Sequence, residues 1–266
     1  MEELLSGKPQ SDRMPVLFVG HGNPMNAIET NDWTRGWQDA VRGIETPKAI
    51  LVISAHWLTP GKTQVTAMDA PQTIHDFGGF PDELFAQQYP APGSPEMAEA
   101  TIELVRKAHV EPDLEWGLDH GAWSVLLPMF PDADIPVYQL SIDYAASPET
   151  LFELAKDLRP LRDRGVLVIG SGNLVHNLRQ MRMSGAPHDW AVEFETKMAE
   201  AIESGDPKPL VEVQKLGRIA QLAHPTYDHF LPVLYSLALR DPGEEATLFN
   251  RGIDLASVSM LSFRLG

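Results

Sequence analysis

The sequence contains no cysteine. This absence excludes disulfide bonds, thiolate zinc sites, iron–sulfur clusters and a cysteine nucleophile. Any metal must therefore be bound by histidine, aspartate or glutamate side chains. The sequence also has no uninterrupted apolar run that approaches the ~20 residues needed to cross a bilayer as a helix, so we expect no membrane insertion.

Basic residues are scarce. The 266 residues include 21 Lys and Arg against 37 Asp and Glu, which gives a formal net charge of −16 at pH 7. This charge repels nucleic-acid phosphates and anionic membrane surfaces, so we expect small-molecule partners and no nucleic acid. The N-terminal residues are polar and lack the layout of a signal peptide. We therefore expect a cytoplasmic protein, either a monomer or a small homo-oligomer.

The length and the 43% hydrophobic content suit one globular domain. We place it at residues 15–266, after a flexible N-terminal segment at residues 1–14. Short apolar runs rich in β-branched residues predict buried strands at 15–20, 49–55, 135–142 and 166–170.

Helix signals lie between and after these runs. Ser-Pro-Glu sequences at 94–96 and 147–149 combine an N-cap hydroxyl, a first-turn proline and an acidic residue. Further helices are predicted at 122–129, 189–204 and 229–240. Strands that alternate with helices and are apolar on both faces indicate an α/β fold, with a mainly parallel or mixed central sheet flanked by helices.

Three histidines follow the predicted strands. His21 and His56 come at the ends of the first two runs, and His176 follows the run at 166–170. In an open α/β sheet, ligands bind beyond the carboxyl ends of the strands, where several loops converge. Imidazoles are seldom gathered there without a metal or a proton to transfer, so we expect a shared site.

Other histidines are more ambiguous on the residues alone. His120 precedes the helix at 122–129 and could either act in the site or cap that helix. His224 and His229 are five apart across Pro225, so they do not form the i, i+4 pair of a helical zinc motif, and we expect only His229 to point inward. His75 lies in a long Pro- and Gly-rich loop and could line a pocket or face solvent.

Two histidines are expected to lie outside any site. We expect His109 at the C-terminal end of a helix, where the helix dipole favours a cation, and His188 at the surface.

Six short motifs carry a resemblance to a known family. In sequence order they are Gly20-His21-Gly22-Asn23-Pro24, Ser54-Ala55-His56-Trp57, His75-Asp76-Phe77-Gly78-Gly79-Phe80-Pro81, Asp119-His120-Gly121-Ala122-Trp123, Gly170-Ser171-Gly172-Asn173-Leu174-Val175-His176-Asn177 and His224-Pro225-Thr226-Tyr227-Asp228-His229. Together they resemble the class III extradiol ring-cleavage dioxygenases, in the branch of the 4,5-DOPA extradiol dioxygenases. The resemblance extends from about residue 15 to residue 265.

The resemblance implies one divalent metal ion per chain that chelates a catechol. Family members outside this branch generally hold Fe(II) with two histidines and one glutamate. His21 and His56 match two ligand positions, whereas His229 falls where the glutamate is expected. An all-histidine site is a common zinc pattern, so we expect Zn²⁺ as the bound ion and Fe²⁺ for dioxygenase activity, with His176 close enough to be a fourth ligand.

The same resemblance implies a catechol such as DOPA and O₂ as substrates, with ring opening by 4,5-cleavage. We expect His176 to act as the catalytic base and His120 to hydrogen-bond a substrate oxygen. Phe77, Phe80, Trp123 and Tyr227 lie next to the site motifs, where they could either sandwich an aromatic ring or pack in the core. We name His75, Phe77, Trp123 and Tyr227 as the expected substrate-binding residues.

Two other functions remain open on the sequence. A zinc-dependent hydrolase would use a metal-bound hydroxide as its nucleophile, because zinc has no accessible redox state. A non-catalytic protein would only bind a metal or an aromatic ligand.

Overall fold

The computed structural model describes residues 13–266. It contains fourteen strands within these residues: β1 (Val16–Gly20), β2 (Ala49–Ser54), β3 (Leu58–Thr59), β4 (Thr63–Thr66), β5 (Gln72–Thr73), β6 (Val110–Asp113), β7 (Gly117–Leu118), β8 (Val137–Gln139), β9 (Ile142–Asp143), β10 (Val166–Gly172), β11 (Ala246–Phe249), β12 (Ile253–Asp254), β13 (Val258–Ser259) and β14 (Ser262–Leu265).

Ten α-helices accompany these strands in the described chain: α1 (Asp32–Val41), α2 (Asp82–Phe85), α3 (Pro95–Leu104), α4 (His120–Met129), α5 (Pro148–Ala155), α6 (Pro160–Asp163), α7 (Asp189–Ser204), α8 (Lys208–Val211), α9 (Arg218–Ala223) and α10 (Leu231–Ala238). Short 3₁₀ helices occur at Pro24–Ala27, Lys156–Leu158, Leu178–Gln180 and Val213–Leu216. Among residues 13–266 there is no helix long and apolar enough to cross a membrane.

The main sheet has six strands in the order β11-β14-β1-β10-β2-β8. β1, β10, β2 and β8 run parallel, and β14 pairs antiparallel with both β1 and β11. The sheet is therefore mixed but mainly parallel, and the predicted α/β fold is confirmed. Because β1, β2 and β10 are parallel neighbours, the loops after their carboxyl ends lie side by side.

Both faces of this sheet are covered by helices. In β1, Val16 and Phe18 pack into the core that includes α5, α7 and α10, whereas Leu17 and Val19 pack into the opposite core with α4. Successive side chains of a strand point to opposite faces, so two apolar layers require a strand that is apolar at every position. This explains why the central strands read as continuous apolar runs.

One predicted strand differs from the structure. The run at 135–142 is divided into β8 and β9, which belong to different sheets. The chain leaves the main sheet after Gln139, whose buried side-chain amide donates to Asp119 Oδ2 at 2.9 Å. Leu140 N still donates to Val52 O of β2 at 3.0 Å, and Ser141 N then donates to Gln64 O at 2.8 Å, outside the main sheet. Buried polar partners therefore divide a segment that looks uniformly apolar in sequence.

The helix predictions are met to different degrees. α7 has the predicted bounds, and Ser147 caps α5 by accepting a hydrogen bond from Thr150 N at 3.1 Å. Ser94 makes no such bond at the start of α3, so the capping role predicted for its hydroxyl is wrong. α10 is shorter than predicted and begins at Leu231.

The predicted flexible segment 1–14 lies mostly outside the described residues. Its last two residues are described, and both contact the domain. Met14 N donates to Arg162 O at 3.0 Å, and Arg13 pairs with Asp241 at 3.0 Å and with Asp163.

Two histidine predictions are corrected by the fold. His109 is not at a helix end but in the turn between α3 and β6, because α3 ends at Leu104. His224 was expected to point outward but is buried, with its ring against those of Phe194 and Phe230. Its Nε2 lies 2.6 Å from Leu174 O. His188 lies at the start of α7, near the surface as predicted, with Nε2 2.8 Å from Gln180 O.

His224 should make the folded state sensitive to acid. Burial lowers the pKa of His224 to about 4, whereas an exposed histidine has a pKa of ~6.5. The unfolded chain therefore binds a proton that the folded chain does not, and stability falls as the pH drops from about 6.5 towards 4. Above about 6.5 this contribution is constant.

We expect the His224→Gln variant to lose less stability than the parent between pH 7.5 and pH 4.5, by up to about 3 kcal/mol. Urea unfolding at the two pH values measures this difference. Equal pH dependence in both proteins would show that His224 does not titrate as a buried neutral group.

Candidate metal centre and active site

Five histidines meet beyond the carboxyl edge of the central sheet. His21 follows β1, His56 follows β2, and His176 lies on the loop after β10. His120 is the first residue of α4, and His229 lies two residues before α10. The site is therefore built from the loops of three parallel strands and the starts of two helices, as expected for a ligand site in an open α/β sheet.

Hydrogen bonds on the far side of the ring fix the orientation of His21. Its Nδ1 lies 2.9 Å from Ser171 Oγ, and that hydroxyl lies 2.5 Å from Gly121 O. Because Ser171 donates its proton to the carbonyl, it accepts one from Nδ1. This tautomer leaves the Nε2 lone pair of His21 free to bind a metal.

His229 has the same arrangement. Its Nδ1 and its backbone N lie 2.9 Å and 2.7 Å from the same carboxylate oxygen, Asp228 Oδ1. A carboxylate accepts but does not donate, so the ring proton lies on Nδ1 and the lone pair on Nε2. Gly172 is also required here, because a Cβ at that position would lie 2.2 Å from His229 O.

Asp76 lies behind two more of the rings. Its carboxylate is 3.5 Å from His56 Nδ1 and 2.9 Å from His120 Nδ1, and it accepts a hydrogen bond from His120 N at 2.8 Å. The His120 ring N–H is not well aligned with the carboxylate, so the backbone bond is the better-formed contact. Burial alone would raise the pKa of Asp76, but the hydrogen bonds and positive potential of His120 lower it overall.

A buried network holds the start of α4 against His56. Asp119 caps the helix by accepting from Ala122 N at 3.2 Å, and it also accepts from Ser54 Oγ at 2.6 Å. Burial raises the pKa of Asp119. The capping role considered for His120 is thus performed by Asp119, which leaves the His120 ring facing the site.

The ligand candidates are neutral at physiological pH. Burial, followed by the positive potential of neighbouring imidazoles, lowers the pKa of His21 and His229 far below the ordinary value. Burial also lowers the pKa of His56 to about 3 and that of His176 to about 4. Metal binding requires neutral imidazole, so the site is in the protonation state that a cation needs.

The rings open into a cavity of about 630 Å³. Its floor is formed by the five histidines, and its walls are largely apolar. The other lining residues in the described chain are Gly22, Asn23, Pro24, Phe77, Gly78, Gly79, Phe80, Leu178, Met181, Met183, Leu255 and Val258.

The four predicted substrate-binding residues lie at different depths. Phe77 lines the cavity, with its ring 5.4 Å from that of His120. Trp123 is fully buried, contacts Phe77 and donates to Ile74 O at 2.8 Å. His75 contacts both rings, and its Nε2 lies 2.9 Å from Gln87 O. Tyr227 stacks on His224. Of this set, only Phe77 is a wall residue.

Three of the histidines have the spacing of ligands around one ion. Ring centroids are 5.2 Å apart for His21–His56 and His21–His229 and 4.9 Å apart for His56–His229. Imidazole nitrogens bind zinc at about 2.0–2.1 Å, which puts ring centroids about 5 Å apart in a tetrahedral arrangement. The His21 and His56 Nε2 atoms are 3.5 Å apart, in keeping with a shared ion.

The other two histidines lie closer to their neighbours. His120 forms a compact donor set with His21 and His56, but its centroid is only 3.8 Å from that of His56. His176 stacks on His229, with centroids 3.5 Å apart and planes within 6° of parallel. Imidazole lone pairs lie in the ring plane, so two parallel stacked rings do not direct them at one point.

The comparisons with known proteins agree with this geometry. Residues 15–252 match the family model described as the catalytic LigB subunit of aromatic ring-opening dioxygenase. This chain belongs to that family. The resemblance seen in the sequence is thereby confirmed, as is the prediction of an enzyme of the ring-opening dioxygenase class.

Individual LigB relatives cover nearly the whole chain. The 4,5-DOPA dioxygenase extradiol of Escherichia coli K12 is 46% identical over 263 residues, which is 96% of each chain. The protein of the same name from Beta vulgaris is 35% identical and spans 94% of this chain and 95% of its own. A crystal structure of an uncharacterized protein from Escherichia coli K12 superimposes with a TM-score of 0.84 at 42% identity, over 96% of this chain and 100% of the other.

Two groups of site residues were missed in the sequence. Asp76 and Asp228 lie against the rings of His120 and His229. Their positions in the sequence could have indicated this, because Asp76 directly follows His75 and Asp228 directly precedes His229. Leu178, Met181, Met183 and Leu255 line the cavity mouth. They lie in mixed polar stretches with no periodic pattern, so only the folded chain reveals them.

Gly121 should be essential for the metal centre. A Cβ there would lie 2.4 Å from Ser54 Oγ and 2.8 Å from His56 Cδ2. We expect Gly121→Ala to displace His56 and lower metal affinity roughly 10- to 100-fold, as loss of an orienting contact does, with the fold retained.

Gly78→Ala is the matched control, because a Cβ at Gly78 meets no atom within 4 Å. Isothermal titration of the metal-free proteins with Zn²⁺ gives both affinities, and circular dichroism reports the fold. Parental affinity in Gly121→Ala would contradict the tight packing of α4 against His56.

Proposed function

We propose that the protein is an extradiol dioxygenase that opens the ring of a catechol with O₂ at one metal ion, and that DOPA, cleaved at the 4,5 bond, is among its substrates. The observation that carries the proposal is the floor of the cavity. Three neutral imidazoles lie there at ligand spacing, two of them (His21 and His229) with the Nε2 lone pair free, and two further histidines lie beside them. The names of the relatives suggest DOPA.

His21, His56 and His229 are the proposed ligands, with Nδ1 protons directed to Ser171, Asp76 and Asp228 respectively. Bound Fe(II) would supply positive charge for an ionised catechol and a redox-active centre for O₂, whereas Zn(II) supplies only the charge. We propose Fe²⁺ as the working ion and Zn²⁺ as an ion that also fits the all-histidine set.

His176 is the proposed base for a catechol hydroxyl. It lines the cavity, and its pKa of about 4, lowered by burial, leaves the ring unprotonated at neutral pH. An anionic catecholate beside the ring would raise that pKa, because a nearby opposite charge favours the protonated form. The stacked geometry with His229 favours this role over that of a fourth ligand.

His120 is the proposed hydrogen-bonding partner of a substrate oxygen. Its backbone N is fixed by Asp76, and its ring lies between those of His56 and Phe77. Phe77 would pack against the aromatic ring of the substrate, and buried Trp123 and His75 would support Phe77 from behind. Tyr227 would act at a distance, through His224.

The two rival functions are not favoured. A zinc hydrolase and a non-catalytic binding protein both account for the histidines, but neither accounts for the match of residues 15–252 to a ring-opening dioxygenase family. The cytoplasmic location and the monomeric or small oligomeric state stay predictions from the sequence.

Oxygen consumption tests the proposal directly. Protein loaded anaerobically with Fe²⁺ should take up one O₂ per catechol when air is admitted, and an absorbing ring-opened semialdehyde acid should appear in the visible spectrum. The carbon–carbon bond beside the diol breaks, and both oxygen atoms enter the product. The Zn²⁺-loaded protein is the control and should be inactive. If the Fe²⁺-loaded protein consumes no O₂ with any catechol, the proposal is wrong.

His176→Ala separates a base from a ligand. We expect this variant to retain its metal and to lose roughly 10²–10⁴-fold in kcat, the usual effect of removing a positioned proton-transfer group. Higher pH should restore part of the activity, because a catechol that ionises in solution needs no base.

His21→Ala is the comparison, since a lost ligand is not rescued by pH. Metal content and the pH–rate profile are the measurements. If both variants are equally free of metal, His176 is a ligand and the base lies elsewhere, with His120 next.

A further inference from the structure

Two apolar walls line the mouth of the cavity. One wall consists of Phe77 and Phe80 from the loop before α2. The other consists of Leu178, Met181 and Met183 from the segment after His176, with Leu255 beside them. Within residues 13–266, no Asp, Glu, Lys or Arg lines the cavity.

The charged residues near the site do not line the cavity. Asp76 and Asp228 lie behind the rings of His120 and His229 and accept hydrogen bonds from them or from their backbone. Arg179 and Arg182 alternate along the chain with the wall residues, but they are exposed and do not line the cavity. A substituent on a bound ring therefore meets carbon and sulfur before it meets a charge.

This wall is held in place by the backbone. Asn177 N, Arg182 N and His188 N donate to the carbonyls of Ser257, Leu255 and Ala256 at 3.1, 2.9 and 3.1 Å. The last two carbonyls belong to consecutive residues in the left-handed region, with φ of 48° at Leu255 and 63° at Ala256. Non-glycine residues rarely adopt this conformation, and such strain is concentrated around binding sites. The apolar wall is thus built into the fold.

We infer that the cavity selects catechols whose ring substituent is uncharged and apolar, over those that carry a carboxylate, an ammonium group or both. The inference rests on the proposed function, since it assumes that a catechol binds with its diol at the histidines. DOPA would then be cleaved but would bind more weakly than an alkyl catechol of similar size.

The physical reason is desolvation. An alkyl substituent gains by covering the side chains of Leu178, Met181 and Met183, which are 57%, 43% and 83% exposed, and by contact with the phenylalanines. A carboxylate or ammonium group in the same place loses part of its water on that apolar surface and finds no opposite charge on the walls. The two effects act in the same direction, so the difference in affinity should be about 10-fold or more.

Anaerobic calorimetry tests the selection without turnover. The Fe²⁺-loaded protein is titrated with 4-butylcatechol, 3-(3,4-dihydroxyphenyl)propionate, the amide of that acid, and DOPA. The acid and its amide differ only in charge. We expect 4-butylcatechol to bind at least about 10-fold more tightly than the propionate, with the amide between them.

Charge placed on the wall should change this order. Met183, which is 83% exposed, tolerates a long side chain, and Met183→Arg should improve propionate binding about threefold while leaving 4-butylcatechol nearly unchanged. Leu114→Arg is the matched control, because Leu114 is 70% exposed and does not line the cavity. It adds the same charge and should leave the order as in the parent.

The outcomes are distinguishable. If the parent protein binds the propionate or DOPA as tightly as 4-butylcatechol or more tightly, the inference is overturned. If that tight binding is then lost in an Arg179→Gln/Arg182→Gln double variant, those arginines determine the selection instead. Oxygen uptake on the same four compounds is recorded separately. If none is consumed, the proposed function fails, whereas the binding order still decides the inference about the wall.

Discussion

The oxygen acceptors behind the histidine rings are the constraint on which the rest of the site depends. An imidazole binds a metal only through an unprotonated nitrogen, and which nitrogen is free depends on the partner of the other. Ser171 and Asp228 accept the Nδ1 protons of His21 and His229, which leaves both Nε2 atoms free. Burial then keeps the rings neutral by lowering their pKa values, so no proton competes with the cation.

The sheet brings these residues together. β10 lies between β1 and β2 and is parallel to both, so Ser171 at the end of β10 is one strand spacing from the loop that carries His21 and one from the loop that carries His56. The start of α4 and the chain before α10 pack closely against this edge of the sheet only because Gly121 and Gly172 have no side chain. A Cβ at Gly121 or Gly172 would overlap Ser54 or the carbonyl of His229. The fold and the metal centre are therefore constrained by the same few close contacts.

Much of this arrangement could be predicted from the sequence, because continuous apolar runs identify buried parallel strands, and the histidines at their ends meet at one edge of the sheet. The failures have physical causes. His224 is buried with its Nε2 against Leu174 O, a contact between residues fifty positions apart that no local pattern reveals. The segment at 135–142 divides because Gln139 is tied to Asp119. Met181 and Met183 are positioned at the mouth because Arg182, between them, donates its backbone N–H to Leu255 O in a turn with positive φ. No local sequence pattern reveals this contact.

Anomalous diffraction from crystals of the Fe²⁺-loaded protein, collected at the iron edge, tests the central claim most directly. The account predicts one strong peak within bonding distance of the Nε2 atoms of His21, His56 and His229, with His176 and His120 facing it across the space for the substrate. A peak bonded to His120 in place of His229, or the absence of a peak at this edge of the sheet, would contradict the account.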